Sequence, residues 1–211
     1  MKKIIIGLTL LCMTFLISCS SSTSSDDSPT ITFVHPQNNE TINDSIYTIE
    51  VSVEDTKSIL SVSIYVDSVC LYQSPSNKNY SCEWHTYWFT ESYDHTIKVE
   101  ALNSDDKTTT KSIDVTLSEQ AYVAPKLLSP ADNSTLQNPL NFSWTALPQT
   151  FQYEVYITIN DTPFVNTTVD TTYSNSFLIY GPATWQVKAQ NALGMESKLS
   201  ELYHFILNET K

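Results

Sequence analysis

The sequence predicts an all-β protein made of two tandem β-sandwiches behind an export signal and a flexible tether. Three observations predict it. Apolar and polar residues alternate with period two almost throughout residues 30–208, and no stretch shows a convincing 3.6-residue period. A motif recurs: VHPQNNETI at 34–42 and LSPADNSTL at 128–136 place Pro36 and Pro130 94 residues apart, the length of a small domain. Between the halves, SEQAYVAP at 118–125 lacks alternation and closes on a proline, which reads as a linker.

In chain order, Lys2 and Lys3 precede the apolar run IIIGLTLLCMTFLI. This run has the length of a signal-peptide core and is short of the ~20 apolar residues of a membrane span. It ends in LISC at 16–19, which resembles the lipobox of bacterial lipoproteins. That resemblance implies a signal over 1–18, cleavage before Cys19, and a diacylglyceryl thioether on Cys19. A further fatty-acyl chain of the palmitate type on the new amino terminus would make the anchor stable. The tether follows over 19–29; its SSSTSSDDSP run cannot bury a core. Ser20 after the lipidated cysteine makes outer-membrane delivery the default. The SDD at 25–27 looks like the acidic signals that carry some lipoproteins to the cell surface, and a plain solvated linker is the competing reading.

Charge and composition exclude some partners. The formal charge is −12, becoming −14 once Lys2 and Lys3 leave with the signal, and the chain contains no arginine. An acidic surface without bidentate donors repels phosphate backbones, so nucleic acid is excluded. With the signal removed and Cys19 acylated, only Cys70 and Cys82 remain; an even pair in an oxidising compartment predicts a disulfide.

The strands follow from alternation. Tyr47, Ile49, Val51 and Val53 share one face of a strand. So do Leu60, Val62, Ile64 and Val66; Ile97, Val99 and Ala101; and Ile113, Val115 and Leu117. In the second half the inward sets are Leu140, Phe142 and Trp144, then Tyr153, Val155 and Ile157, then Trp185, Val187 and Ala189. The two recurrent stretches are each a first strand running into its first turn. Proline suits a first edge strand, and Asn39 and Asn133 take the turn conformation glycine would otherwise supply. With only Gly181 and Gly194 in the mature chain, Asn and Asp must do most of the turning.

Here a family resemblance adds to the pattern. SVSIYVDSVCLY, NYSCEWHT and YDHTIKVEALNSDDKTTTKSIDVTL follow the motifs of bacterial Ig-like domains, so residues 30–118 resemble that family. Ser68 and Tyr93 stand where the family has glycines, and His85 where it has an acid. LLSPADNSTL, LNFSW, YEVYI and TWQVKAQNALGMESKLSELYHF make residues 125–208 similar to a fibronectin type III domain. The linker is then 119–124, short enough to set the two bodies in a semi-extended line.

The search for chemistry is mostly negative. There is no G-x-S-x-G, HExxH or glycine-rich phosphate loop, and His35, His85, His95 and His204 show no ligand spacing. Neither catalysis nor a cofactor is expected. Two constellations remain. In EWHTYWFTESY at 83–93, Trp84 matches the core tryptophan of the Ig-like family, while Tyr87, Trp88 and Phe89 follow the strand. Exposed, these three would form a stacking platform for a glycan or peptide; buried, they would cap the sandwich. Glu54, Asp55, Asp105 and Asp106 lie in two loops that an Ig-type sandwich brings to one end. They are candidate Ca²⁺ ligands, against the simpler reading of solvated turns beside Lys57 and Lys107. The functional expectation is a non-catalytic binding or adhesion module for a glycan or protein, held on the membrane through Cys19. The alternative is a spacer or assembly subunit of an outer-membrane complex.

Overall fold

The computed structural model describes residues 27–75 and 79–209. The expected export signal, Cys19 and the expected tether up to residue 26 lie outside the described residues. The first sandwich is built from β1 (Thr30–His35), β2 (Glu40–Ile42), β3 (Ile46–Glu54), β4 (Ile59–Val66), β5 (Val69–Ser74), β6 (Asn79–His85), β7 (Asp94–Asn103) and β8 (Thr108–Leu117). One sheet has the order β1-β3-β6 and the other β2-β8-β7-β4-β5. Alternation decides which side chains meet between them. Ile49 and Val51 of β3 and Tyr80 and Trp84 of β6 face Val62, Ile64 and Val66 of β4, Ile97 and Val99 of β7, and Val115 and Leu117 of β8, all buried.

The second sandwich repeats the plan. It comprises β9 (Leu127–Ser129), β10 (Ser134–Gln137), β11 (Leu140–Trp144), β12 (Thr150–Ile159), β13 (Thr162–Thr168), β14 (Thr172–Asn175), β15 (Gly181–Asn191) and β16 (Tyr203–Asn208). Its sheets run β14-β11-β9 and β10-β16-β15-β12-β13. Aromatic side chains dominate this core: Phe142 lies 5.0 Å from Trp185 and Trp144 5.5 Å from Tyr153, centroid to centroid, both edge-on.

The recurrent motif has the same structure twice. Pro36 and Pro130 follow cis peptide bonds, and Asn39 (φ 63°) and Asn133 (φ 61°) are left-handed. The chain then crosses to the opposite sheet, where β2 pairs parallel with β8 and β10 pairs parallel with β16. Asn and Asp do carry the turns, with Asp67, Asp106, Asn160 and Asp161 also at positive φ.

Alternation misplaces one apolar side chain. It puts Leu60 inside with Val62, but the register slips between Ile59 and Ser61 and turns Leu60 out to 45 % exposure. A bulge shifts every residue beyond it to the other face, which period-two reasoning does not anticipate.

Candidate functional site

The aromatic run after β6 forms the junction between the sandwiches. β6 ends at His85, and residues Thr86–Trp88 form one 3-10 turn that directs the chain toward the second domain. The platform expected of Tyr87, Trp88 and Phe89 is corrected by their burial, at 1 %, 3 % and 7 % exposure. None of these three rings leaves a face open for stacking. Phe89 packs edge-on against Trp84, and Tyr87 lies 5.1 Å from Trp88.

Tyr87 spans the two domains. Its hydroxyl donates to the Pro148 carbonyl at 3.3 Å, and His85 Nδ1 lies 2.7 Å from it on the other side. Because the hydroxyl proton goes to Pro148, His85 must be the donor at Nδ1. Burial, with Glu83 and Tyr153 nearby, pushes the Tyr87 phenol up to about 12. Burial lowers His85, opposed by the Glu83 carboxylate.

The linker is part of the same junction and not a free hinge. A second 3-10 turn, Glu119–Ala121, buries Ala121 completely. The buried Thr86 hydroxyl is 3.0 Å from the carbonyls of both Asp44 and Ala121, tying the linker to the loop before β3. Tyr122 donates to the Ser92 carbonyl at 2.6 Å, and burial raises its phenol to about 12. From the second domain, Lys198 reaches the Glu119 carboxylate, which also accepts from Tyr93, and its ammonium sits 4.7 Å over the Tyr122 ring. Lys198 first, then Tyr93, holds the Glu119 carboxyl below its ordinary range. Thr90 adds a bond to the Glu196 carbonyl at 3.2 Å.

Beside this junction the two domains enclose an open groove of about 1020 Å³. The Asp67–Ser68 turn, the start of β5 and residues 88–95 form one wall, and residues 193–196 form the other.

The acidic end lies at the opposite pole of the first domain, and it is corrected as a calcium site. The two loops do meet, but Lys57 and Asn103 bind their acids. Lys57 Nζ pairs with Asp105 Oδ2 at 3.1 Å. Asp55 accepts from the Lys57 amide at 2.8 Å and from Asn103 Nδ2 at 2.9 Å, bonds that depress its carboxyl in that order. Among the described residues no three His, Cys, Asp or Glu side chains converge as a metal cage. Glu54 and Asp106 do not join the pair. The residue missed by sequence reasoning is Asn103. Fully buried, it also donates to the Asp27 carbonyl at 2.7 Å and accepts from the amides of Asp105 and Lys107. An asparagine opening the acidic run NSDDK was its only signal.

The expected disulfide is also corrected: Cys70 and Cys82 are free thiols. Cys70 pairs with Tyr65, whose ring lies under Lys98 on the outer face of the five-stranded sheet, and a register slip separates Cys70 from the inward Tyr72. Cys82, opposite the buried Ile49, lies on the inner side of the other sheet. Burial, with Cys70 as a smaller contributor, pushes its thiol up to about 12.

Of two other histidines, one packs against the junction's aromatic run and one lies in the second domain away from it. His95 is buried, with Nδ1 2.9 Å from Asp67 Oδ2. His204 is exposed and 3.5 Å from Asp132. Ser134 lies near His204 but is opposite the buried Phe205, on the other face, so these residues form no nucleophile relay.

Comparison with known proteins agrees with the first half of this architecture. A family described as "Bacterial Ig domain" matches residues 29–115. No curated protein matches the sequence. Among solved structures, fibronectin(III)-like modules of Clostridium thermocellum CbhA are 15% identical with a TM-score of 0.37, covering 85% of this chain and 95% of theirs. A 1.5-MDa bacterial ice-binding adhesin is 13% identical at 0.31, covering 87% and 66%. The Bacteroides ovatus protein SGBP-B, in complex with a mixed-linkage heptasaccharide, is 14% identical at 0.33, covering 85% of this chain and 48% of that one. At such scores nothing about ligand or role passes to this chain. Residues 29–115 are similar to a bacterial Ig domain, and two all-β sandwiches make up the body of the molecule.

Proposed function

We propose that this chain is a non-catalytic envelope lipoprotein whose two sandwiches form one rigid arm, held on the outer membrane through acylated Cys19. The observation that carries this reading is the buried junction: Tyr87 bonds to Pro148, Thr90 to Glu196, and Lys198 to Glu119 over the Tyr122 ring, while Thr86 and Tyr122 hold the linker to the first domain. Domains that merely share a linker move independently unless their interface is substantial and apolar. Here aromatic side chains that would be a liability if exposed are used to fix the angle. The entry of the chain supports the same role. Asp27 is bound by Asn103 at the pole of the first domain away from the junction, so the tether leads in at one end and the second domain extends from the other.

The test is ¹⁵N relaxation of the soluble chain after removal of the signal and lipid. A single rotational diffusion tensor fitting both sandwiches supports the arm. Separate, shorter correlation times for the two domains would overturn it. The reading as a binding module for a glycan or protein loses its aromatic platform. It keeps one observation in its favour, the groove beside the junction.

A further inference from the structure

We infer that this interdomain groove binds an extended peptide segment carrying lysine or arginine, added as a strand to the open edge of β5. Three observations converge. β5 is the end strand of its sheet, and it contributes Val69 and Cys70 to the groove wall. An end strand presents unpaired backbone donors and acceptors along its outer side, which an extended peptide can satisfy and a small amine cannot. The groove is lined by Asp67, Glu91, Asp94 and Glu196 and by no lysine. Lys188 reaches Glu196 at 2.8 Å and His95 lies against Asp67, which leaves Glu91 and Asp94 without a charged partner among the described contacts. Charge complementarity therefore favours a cationic occupant. Val69, Leu193 and Met195 add accessible apolar surface to the same lining, which the aliphatic side chains of a strand can cover.

This inference rests on the rigid arm, because the walls of the groove come from different domains. Relaxation data report the arm and a titration reports the groove, so either can fail alone. The experiment titrates the soluble chain with a blocked peptide of alternating lysine and valine, followed by amide chemical shifts. The same peptide with glutamate for lysine and the free polyamine spermine serve as comparators. Saturable shifts at Val69–Ser74 and residues 193–196 with the lysine peptide alone are expected. The folded double variant Glu91→Gln/Asp94→Asn, checked by its unchanged spectrum elsewhere, should bind about tenfold more weakly, as two partly exposed ion pairs imply. Equal binding of the glutamate peptide, equal binding by the variant, or shifts absent from β5 would overturn the inference. Spermine competing for the same residues with equal affinity would do so too, since the groove would then take an amine without a strand.

Discussion

Removing the Tyr87 hydroxyl tests the junction at its narrowest point. Tyr87→Phe keeps the ring and its contact with Trp88 but deletes one oxygen that accepts from His85 and donates to Pro148. Each such bond contributes about 1 kcal/mol net, and the 3.3 Å bond belongs at the weak end. Most of the cost lies in the groups left behind. His85 is nearly buried, and its Nδ1–H loses its partner at about 1–3 kcal/mol for a stranded buried group, whereas Pro148 is exposed and its carbonyl turns to water. The expected total loss is about 1–3 kcal/mol in chemical denaturation. Tyr87→Ala should cost about 3–5 kcal/mol by adding a cavity. The diagnostic feature is cooperativity. Wild-type domains coupled through this interface should unfold in one transition, whereas Tyr87→Ala should separate two, with the second sandwich keeping its own midpoint. A Tyr87→Phe variant within about 0.5 kcal/mol of wild type, the scatter of ordinary surface substitutions, would refute the reasoning, as would two transitions in the wild type.

Other expectations concern pH, the acidic pole and the anchor. Cys82, Tyr87 and Tyr122 are held protonated to about 12, above ordinary values of 9.0 and 10.0. Their contribution is complete below those ordinary values and lost as pH rises toward 12; His85, shifted down, adds a loss as pH falls below 6.5. Denaturation midpoints should therefore form a plateau between these limits, and a maximum at either extreme would contradict the assigned burial. Asn103→Ala should cost about 2–3 kcal/mol, because it removes a fully buried side chain that makes four hydrogen bonds joining both loops and Asp27. Saturating calcium should leave the thermal midpoint unchanged, and an upward shift would restore the metal site. Cys19→Ala should move the protein from the membrane to the soluble fraction of lysed cells, and retention in the membrane would remove the anchor. Protease treatment of intact cells then reports which side the arm occupies.

Much of the sandwich is legible in the sequence because one physical rule governs most of it. A strand with one buried face must alternate, so Val62, Val99 and Val187 declare their side directly. Asn39 and Asn133 are equally legible, since a chain this poor in glycine has few other residues that tolerate positive φ. What escapes depends on relations that sequence does not write locally. Leu60 lies at a register slip and Cys70 just before one, where a single extra residue reverses the face. The parallel pairing of β2 with β8 and of β10 with β16 joins the first and last segments of each domain's sequence. Tyr87 reads as a ligand platform because its partner, Pro148, lies across a domain boundary. The acidic loops do meet as the sandwich plan requires, yet the same proximity lets Lys57 and Asn103 reach the carboxylates.

The crossing of each first strand to the opposite sheet has a mechanical consequence. β2 lies parallel to β8, in register from Glu40 opposite Val115 to Ile42 opposite Leu117. The chain enters through β1, which pairs with β3, and the second domain hangs from the end of β8. In the proposed anchored arm, tension passing beyond β1 would drag β2 and β8 past one another lengthwise. The bonds between them are loaded together in shear and do not open one at a time, as they would in a hairpin pulled at its open end. Resistance to stretching is then set by the rate of breaking this short parallel seam rather than by equilibrium stability. An arm exposed to flow or to a moving partner would load β1 against β3 first and then this seam at residues 40–42.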